Sequence, residues 1–348
     1  MMKSYKLTLI ASAIILSPQL MADEYQVYGR IDYSVTNSDS GTATHDGKSG
    51  TILENNWSNI GVKGSSELAT DLQLFYRIEV GVNGASEGKS NNPFSARPTY
   101  IGLKHTTLGQ LAAGRIDPVF KMAKGGADAM DMYSLKHDRL FTGDKRWGDS
   151  LEYKTAKWNK LQLGASYIME DNHYAEEDPR RDNGNYQVAL TYGDKFFKSG
   201  NVYLAGAYSD GIEDVKAFRA VAQLKIDNLM LGTMFQSSEM VNPTKAHWEQ
   251  RDGSGFIASA KYKIDNLMLK AQYGQDDSGT GRIASKVYNA MGESALAVPE
   301  VTTWAVGAEY RLSKSTLVHT ELGQFDVKQY NDFDDTIISL GMRYDFSI

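Results

Sequence analysis

The 348-residue chain contains no cysteine, which excludes disulfide bonds and thiol chemistry. It has only 7 prolines, a number that suits long strands with fully hydrogen-bonded backbones. Beyond the N-terminal region, no apolar run reaches the roughly 18 residues that a membrane-spanning helix needs. Basic residues are outnumbered 37 to 43, and the net charge of −6 argues against nucleic-acid binding.

The first 22 residues have the features of a secretory signal peptide. Lys3 and Lys6 give a basic start, residues 7–16 form an apolar stretch, and Ala22 ends the predicted cleavage region. The apolar stretch is too short to cross a membrane as a helix. We therefore predict a leader at 1–22 and a single domain at 23–348. Loss of the two lysines changes the net charge from −6 to −8.

Sixteen short stretches of the remaining chain alternate apolar and polar residues. In the last one, Leu340, Met342 and Tyr344 share one side, and Ser339 and Arg343 share the other. Because successive side chains of a strand point to opposite faces, each predicted strand has one apolar and one polar face. A membrane barrel requires this in every strand, since one face meets lipid and the other meets water. The mean hydropathy of −0.42 fits strands that are only half apolar.

Long polar loops and short turns connect these stretches in alternation. The same seven residues occur at 225–231 and 263–269, where one strand reverses into the next, and we interpret both as hairpin turns. The 20 tyrosines suit the two membrane–water boundaries. The sequence therefore predicts an all-β fold, a transmembrane antiparallel β-barrel of 16 strands in a bacterial outer membrane. Wall side chains cannot fill so wide a lumen, so we expect it to hold water.

One long loop, residues 117–145, is the predicted constriction of this lumen. It contains Phe120, Met130 and Phe141 among several acidic residues. An exposed loop rarely carries so many apolar groups, so we expect it to fold into the lumen against the inner wall. We predict that Asp128 and Asp131 form its acidic side. The alternative is an ordinary surface loop with its own small apolar cluster.

Basic residues lie near this loop on the polar side of the predicted strands or at their ends. They are Arg30, Arg77, Arg97 and Arg146. A single arginine in such a place is usually a solvated or paired wall residue. Four of them in the first six predicted strands, opposite an acidic loop, predict a field across a narrow pore that sets ion preference.

Several segments of the chain resemble the Gram-negative general porins. The likeness is carried by residues 59–68, 97–104 and 146–153, together with Gly109 and the Gly114-Arg115 pair. The resemblance covers nearly all of the chain after the leader. It implies a homotrimer of sixteen-stranded diffusion channels, each with its third loop folded into the lumen.

The same resemblance implies roles for individual residues. In the family, basic wall residues face acids of the third loop, and Arg30, Arg97 and Arg146 fall at matching places. A further position that is often arginine is Asn59 here, so Arg77 is expected to take its part. The implied partners are outer-membrane lipid, lipopolysaccharide, and small hydrophilic solutes and ions, with no cofactor, no metal and no nucleic acid.

Passive diffusion is thus the leading expectation, and a substrate-selective porin for oligosaccharides or particular anions is the alternative. An aromatic slide for sugars could use Phe75, Phe120, Tyr133 and Trp147, although their spacing is irregular. An enzyme is not expected. The six histidines are scattered, and none forms a paired motif with a nucleophile.

Overall fold

A computed structural model of the chain describes residues 24–84, 92–169, 184–241 and 251–348. The predicted leader at 1–22 lies outside these residues. Seventeen strand segments form one antiparallel sheet, which pairing of the first with the last closes into a barrel. The strands are β1 (Glu24–Ser38), β2 (Gly50–Asn55), β3 (Asn59–Ala69), β4 (Leu72–Val82), β5 (Phe94–His105), β6 (Gly109–Arg115), β7 (Ser150–Lys154), β8 (Leu161–Ile168), β9 (Tyr186–Gly193), β10 (Val202–Asp210), β11 (Val215–Ile226), β12 (Leu229–Met240), β13 (Asp252–Ile264), β14 (Leu267–Asp276), β15 (Glu300–Arg311), β16 (Thr316–Lys328) and β17 (Asp335–Ser347).

The barrel has sixteen strand positions, because β2 and β3 occupy one of them. β2 pairs with the far half of β1, β3 pairs with its near half, and residues 56–58 interrupt them. Trp57 at this break has φ +68°, a left-handed conformation that a non-glycine residue rarely adopts. The count of sixteen is confirmed. Apolar–polar alternation gives no sign of this break, because it reports only which side chains share a face.

The two faces of the sheet differ as the alternation predicts. In β17, Leu340 is 66% exposed, whereas its neighbour Ser339 is 6% exposed. In β1, Ile31 and Val35 are likewise exposed, and Asp32 between them is buried. We call the two sides the apolar face and the covered face. The apolar face has the composition that a lipid-facing barrel surface requires.

Both copies of the repeated segment are hairpin turns. Ile226 pairs with Leu229, and Ile264 pairs with Leu267, so two residues make each reversal. The first residue of each turn is an aspartate with φ +50°, which matches the positive-φ turns that join twisted antiparallel strands. This interpretation of the repeat is confirmed.

Two α-helices lie in the described parts of the connections, α1 (Val119–Ala123) after β6 and α2 (Arg282–Met291) after β14. α2 packs beside the β1–β2 connection, where Arg282 donates to the carbonyls of Thr44 and His45. Lys286 donates to the carbonyls of residues 41 and 42. Among the described residues, no helix has the length and apolar character needed to span a membrane.

Candidate functional site

The 117–145 segment lies against the covered face, whose polar side chains bind its backbone. Ser166 of β8 accepts from the Val119 amide at 3.0 Å, and Tyr203 of β10 donates to the Ala123 carbonyl at 3.0 Å. Further polar wall side chains make the same kind of contact: Gln187, Gln223, Gln236, Ser259, Lys261 and Gln272. These residues belong to strands β8–β14, which we call the covered sector.

Two glycines of the covered sector allow the segment to approach closely. A Cβ atom at Gly164 would lie 2.9 Å from Cγ1 of Val119, and one at Gly232 would lie 2.8 Å from Cα of Ala127. The apolar residues of the predicted constriction loop pack between the segment and the wall. Phe120, Met130 and Phe141 are all essentially inaccessible to solvent. The segment is therefore packed in place and not an exposed loop.

A chain of buried charges anchors the segment to β11. Arg219 donates to Asp144 at 2.7 Å and to the carbonyls of Phe120 and Thr142 at 3.3 Å. Asp144 also contacts Nε2 of His137 at 2.7 Å, and Nδ1 of His137 contacts Asp128 at 2.6 Å. Since both ring nitrogens face carboxylates, both donate, and His137 is protonated in this arrangement.

The pKa shifts in the segment agree with this charge chain. Burial and Lys124 would lower the pKa of His137, but Asp144 and Asp128 outweigh them and raise it above the usual value. Burial would raise the pKa of Asp144, yet Arg219 and His137 hold it well below its usual range. Burial is likewise outweighed at Asp128, whose pKa His137 lowers. All three shifts favour the charged forms of the groups in this chain.

Two of the four predicted arginines share one carboxylate on strands β4 and β5. Glu79 is buried and accepts from Arg77 on one oxygen and from Arg97 on the other. Tyr28 of β1 donates to Glu79 at 2.7 Å and accepts from Nε of Arg77 at 2.6 Å. Both arginines remain partly exposed, with 31% of the Arg77 side chain and 19% of the Arg97 side chain accessible.

The other two arginines lie apart from this pair. Arg30 binds Asp345 at 2.6 Å and places Nη1 3.9 Å from the sulfur of Met132 in the segment. Arg146 binds Asp117 at 2.6 Å. Arg146 is not at a strand end as expected from the sequence, because β7 begins only at Ser150. It instead ties together the two ends of the segment.

The two predicted acids have different surroundings. Asp128 is 3% exposed, and its oxygens accept from His137 and from the Met130 amide. Asp131 has 44% of its side chain exposed and forms an ion pair with Lys124. The expectation treated them alike, but only Asp131 presents a carboxylate to open space.

Asp128, Asp131 and His137 also offer ligand atoms within 4.8 Å of one another, a spacing that could suit a metal ion. However, His137 binds Asp128 through a protonated ring nitrogen, and the ammonium of Lys124 binds Asp131. A cation would have to displace both positive groups. The cluster therefore functions as an ion-pair network.

The aromatic residues considered for a sugar slide are dispersed. Phe120 is buried beneath the guanidinium of Arg219, 4.2 Å from its ring centre. Tyr133 is buried and stacks on His319 of β16 at 4.2 Å. Trp147 has the ammonium of Lys145 over its ring at 3.9 Å, and Phe75 contacts Tyr100. Two of the four thus stabilise the packing of the segment and are not available to a solute.

Sequence reasoning missed several charged residues that complete these clusters, among them Glu79, Asp117 and Arg219. Glu79 lies two residues from Arg77 on the same face, so alternation could have identified it as the partner. Asp117 was inside the predicted loop but was not singled out. Arg219 gave no signal, because its partner Asp144 is 75 residues away in the sequence.

Comparison with known proteins gives a consistent result. The family model for Gram-negative porins matches residues 8–330. Among solved structures, OmpF of Salmonella typhi in complex with daunomycin is 18% identical with a TM-score of 0.69, covering 92% of this chain and 97% of its own. An anion-selective porin from Comamonas acidovorans is 13% identical with a TM-score of 0.66, covering 93% and 99%. The trimer form of Vibrio cholerae OmpT, folded in vitro, is also 13% identical with a TM-score of 0.66, covering 93% of this chain and 99% of its own.

The curated proteins include no match to this chain. Identities as low as 13% show only that the barrel is shared. The family model adds more, because it spans most of the sequence, from the N-terminal region to the connection before β17. The resemblance seen in the sequence is thereby confirmed. The chain belongs to the Gram-negative porins, and its barrel forms an outer-membrane channel for passive diffusion.

Proposed function

We propose that the covered face lines a water-filled lumen and that the 117–145 segment narrows it for small hydrophilic solutes and ions. The observation that supports this is the spread of the contacts of the segment. It hydrogen-bonds to the covered sector, while Ser134 donates to Glu54 of β2 at 2.9 Å and Tyr133 stacks on β16. A single segment reaches strands on opposite sides of a closed barrel most directly from inside.

The electrostatics of the proposed constriction follow from the pairs described above. Arg30, Arg77 and Arg97 have carboxylate partners but remain partly exposed, so their charges are only partly neutralised locally. Asp131 is the acid of the segment with the most open surroundings, and Arg30 contacts the residue that follows it. Given the overall negative charge, we expect a mild preference for cations.

Labelling of single cysteines tests whether the segment lines the conducting path. The natural chain has no cysteine, so Asp131→Cys carries a unique thiol. We expect a positively charged thiol reagent to lower the cation conductance in planar bilayers. The cation conductance after labelling with a negatively charged reagent should be higher than after labelling with the positively charged one. The matched control is Asp332→Cys, an exposed aspartate of the β16–β17 connection. Equal responses at both positions would place the segment away from the conducting path.

Removal of residues 125–134 tests the size of the opening. This deletion should raise single-channel conductance and admit larger sugars in a liposome-swelling assay. Folding is checked independently by the heat resistance of the barrel on unheated gels. An unchanged conductance and size limit in a folded deletion variant would contradict the constriction.

We further infer that the leader at 1–22 is cleaved and that three barrels assemble in the outer membrane, in contact with its lipids and lipopolysaccharide. The trimer is supported by the OmpT structure that is described as a trimer form. The apolar face supports contact with lipid. The mass of the denatured chain, purified from outer membranes, tests the cleavage. The mass of the native protein in mild detergent tests the assembly.

A further inference from the structure

A cavity of about 230 Å³ lies between helix α1 and the covered face of strands β8–β10. The β9–β10 connection, residues 194–201, forms one side of it. Val119, Met122 and Ala123 of α1 give it an apolar wall, and Tyr203 of β10 closes it behind. Because α1 belongs to the 117–145 segment, this cavity lies next to the proposed constriction but outside the arginine clusters.

Three lysines line the cavity, and they are poorly neutralised. Lys154 binds Glu152 at 2.6 Å, but neither Lys157 nor Lys195 forms an ion pair with any residue that the structure describes. The one carboxylate in the lining, that of Asp194, accepts from the amides of its own turn, at residues 196, 198 and 199. The cavity therefore has an excess of positive charge.

Lys195 lies in the β9–β10 connection and lines the cavity. It is half-buried, and burial together with the charges of Lys154 and Lys124 lowers its pKa below the usual value. An anion in the cavity would reduce the repulsion among these ammonium groups and gain charge-assisted hydrogen bonds. The apolar wall provides contact for a small hydrocarbon portion. Tyr203 contributes no free hydroxyl, since it already donates to the Ala123 carbonyl.

We propose that this lysine pocket binds small organic anions that combine a carboxylate with a short apolar chain. The carboxylate lies among Lys154, Lys157 and Lys195, and the hydrocarbon lies against Met122 and Val119. Binding here adds a preference for such solutes to a channel that otherwise passes ions and small solutes. The inference rests on the proposed lumen only for access of the solute, since the pocket itself is formed by contacts within the barrel.

Three probes separate charge from apolar contact: butyrate, its uncharged analogue butyramide, and acetate, which lacks most of the chain. Binding is measured by saturation-transfer NMR on the protein in detergent micelles, with empty micelles as blank. Current reduction is measured separately in single channels. We expect butyrate to bind more tightly than either other probe. Lys195→Gln should weaken butyrate binding by about tenfold, as loss of one charge-assisted hydrogen bond does.

Lys198→Gln is the matched control, because Lys198 lies in the same connection but outside the pocket and the variant makes the same change in charge. Equal binding of butyrate and butyramide, or equal loss in both variants, would overturn the proposal. NMR binding does not require conduction. Butyrate binding without any current reduction would therefore support the pocket but contradict the proposal that the covered face lines the lumen. If butyrate does not bind, and the thiol reagents act at position 131 as expected, only the pocket proposal would be wrong.

Discussion

Arginine has opposite surroundings in two parts of the same barrel wall. In the covered sector, Arg219 is fully buried and all its contacts go to the 117–145 segment or to Gln236. In the open sector, strands β1 and β3–β5, Arg77 and Arg97 share Glu79 and keep part of their surface accessible. Both sectors place arginine on the same face by the same alternation. The difference comes from which part of the wall the segment covers.

This comparison separates a structural charge from one that we propose lines the channel. A buried guanidinium that binds carbonyls and a carboxylate holds two parts of the chain together. Its positive charge is neutralised by these partners. A partly exposed guanidinium next to a shared carboxylate keeps a residual field that ions in the lumen can sense. Substitutions in the covered sector should therefore change stability, and those in the open sector should change selectivity.

The largest effect is expected for Arg219→Met. The variant leaves the buried Asp144 with His137 as its charged hydrogen-bond partner and removes a donor from the Phe120 carbonyl, whereas the Thr142 carbonyl keeps Gln236. Breaking a buried ion pair from one side costs about 3–5 kcal/mol, here as local stability of the segment. Hydrogen exchange of the 117–145 amides measures this. Arg77→Met is the control, because Glu79 keeps Arg97. Similar exchange in both variants would remove the distinction between the sectors.

The fold could be predicted because alternation fixes the face of each residue. The assignment of Leu340 and Ser339 to opposite faces followed directly, and the two hairpins followed from their aspartate-asparagine turns. Alternation does not say which part of the chain covers a face. The sequence therefore treated Arg77 and Arg97 correctly as wall residues but gave no sign that Arg219 is an anchor.

The acidic side of the site shows a second limit of the sequence. Asp128 and Asp131 are both polar residues of one loop, and nothing local distinguishes them. They differ in burial because of His137, whose ring lies between Asp128 and Asp144. Its hydrogen bond to Asp128 holds that carboxylate in the buried part of the segment. Irregular segments have no period from which such contacts could be read. Trp57, at the break between β2 and β3, escaped prediction for the same reason.

A smaller effect is expected from the titration of His137, which lies in the 117–145 segment over the covered sector. Its pKa is raised in the folded state, so its stabilisation is complete below the ordinary histidine value and is lost as pH rises through the folded value. Asp128 and Asp144 have lowered pKa values, so their contribution is lost only in acid. The segment should thus loosen as the pH rises through the raised pKa of His137.

The measurement is histidine-selective NMR from about pH 6 to about pH 9, with His137→Gln to assign the signal. The His137 ring should remain protonated above the ordinary histidine value, and its titration should coincide with changes in the segment. The glutamine variant should weaken the segment by about 1–3 kcal/mol, because two buried carboxylates lose a charged donor. A His137 pKa at or below the ordinary histidine value would contradict the charge chain.

The smallest effect is expected in the open sector, from joint replacement of Arg30 and Arg97 by alanine. Structure should survive, because Glu79 keeps Arg77, and Asp345 keeps Arg343 at 3.3 Å. The lumen loses two positive charges while Asp131 stays, so cation preference should rise. We expect about a twofold increase in the cation-to-anion permeability ratio, largest at low salt because mobile ions screen the field. Reversal potentials across a salt gradient report the ratio.

The control is Arg311→Ala combined with Lys314→Ala, which makes the same change in charge at the exposed β15–β16 turn. This double variant should leave the permeability ratio unaltered. A shift toward anions, or equal shifts in both double variants, would show that the arginines of the open sector do not act on passing ions.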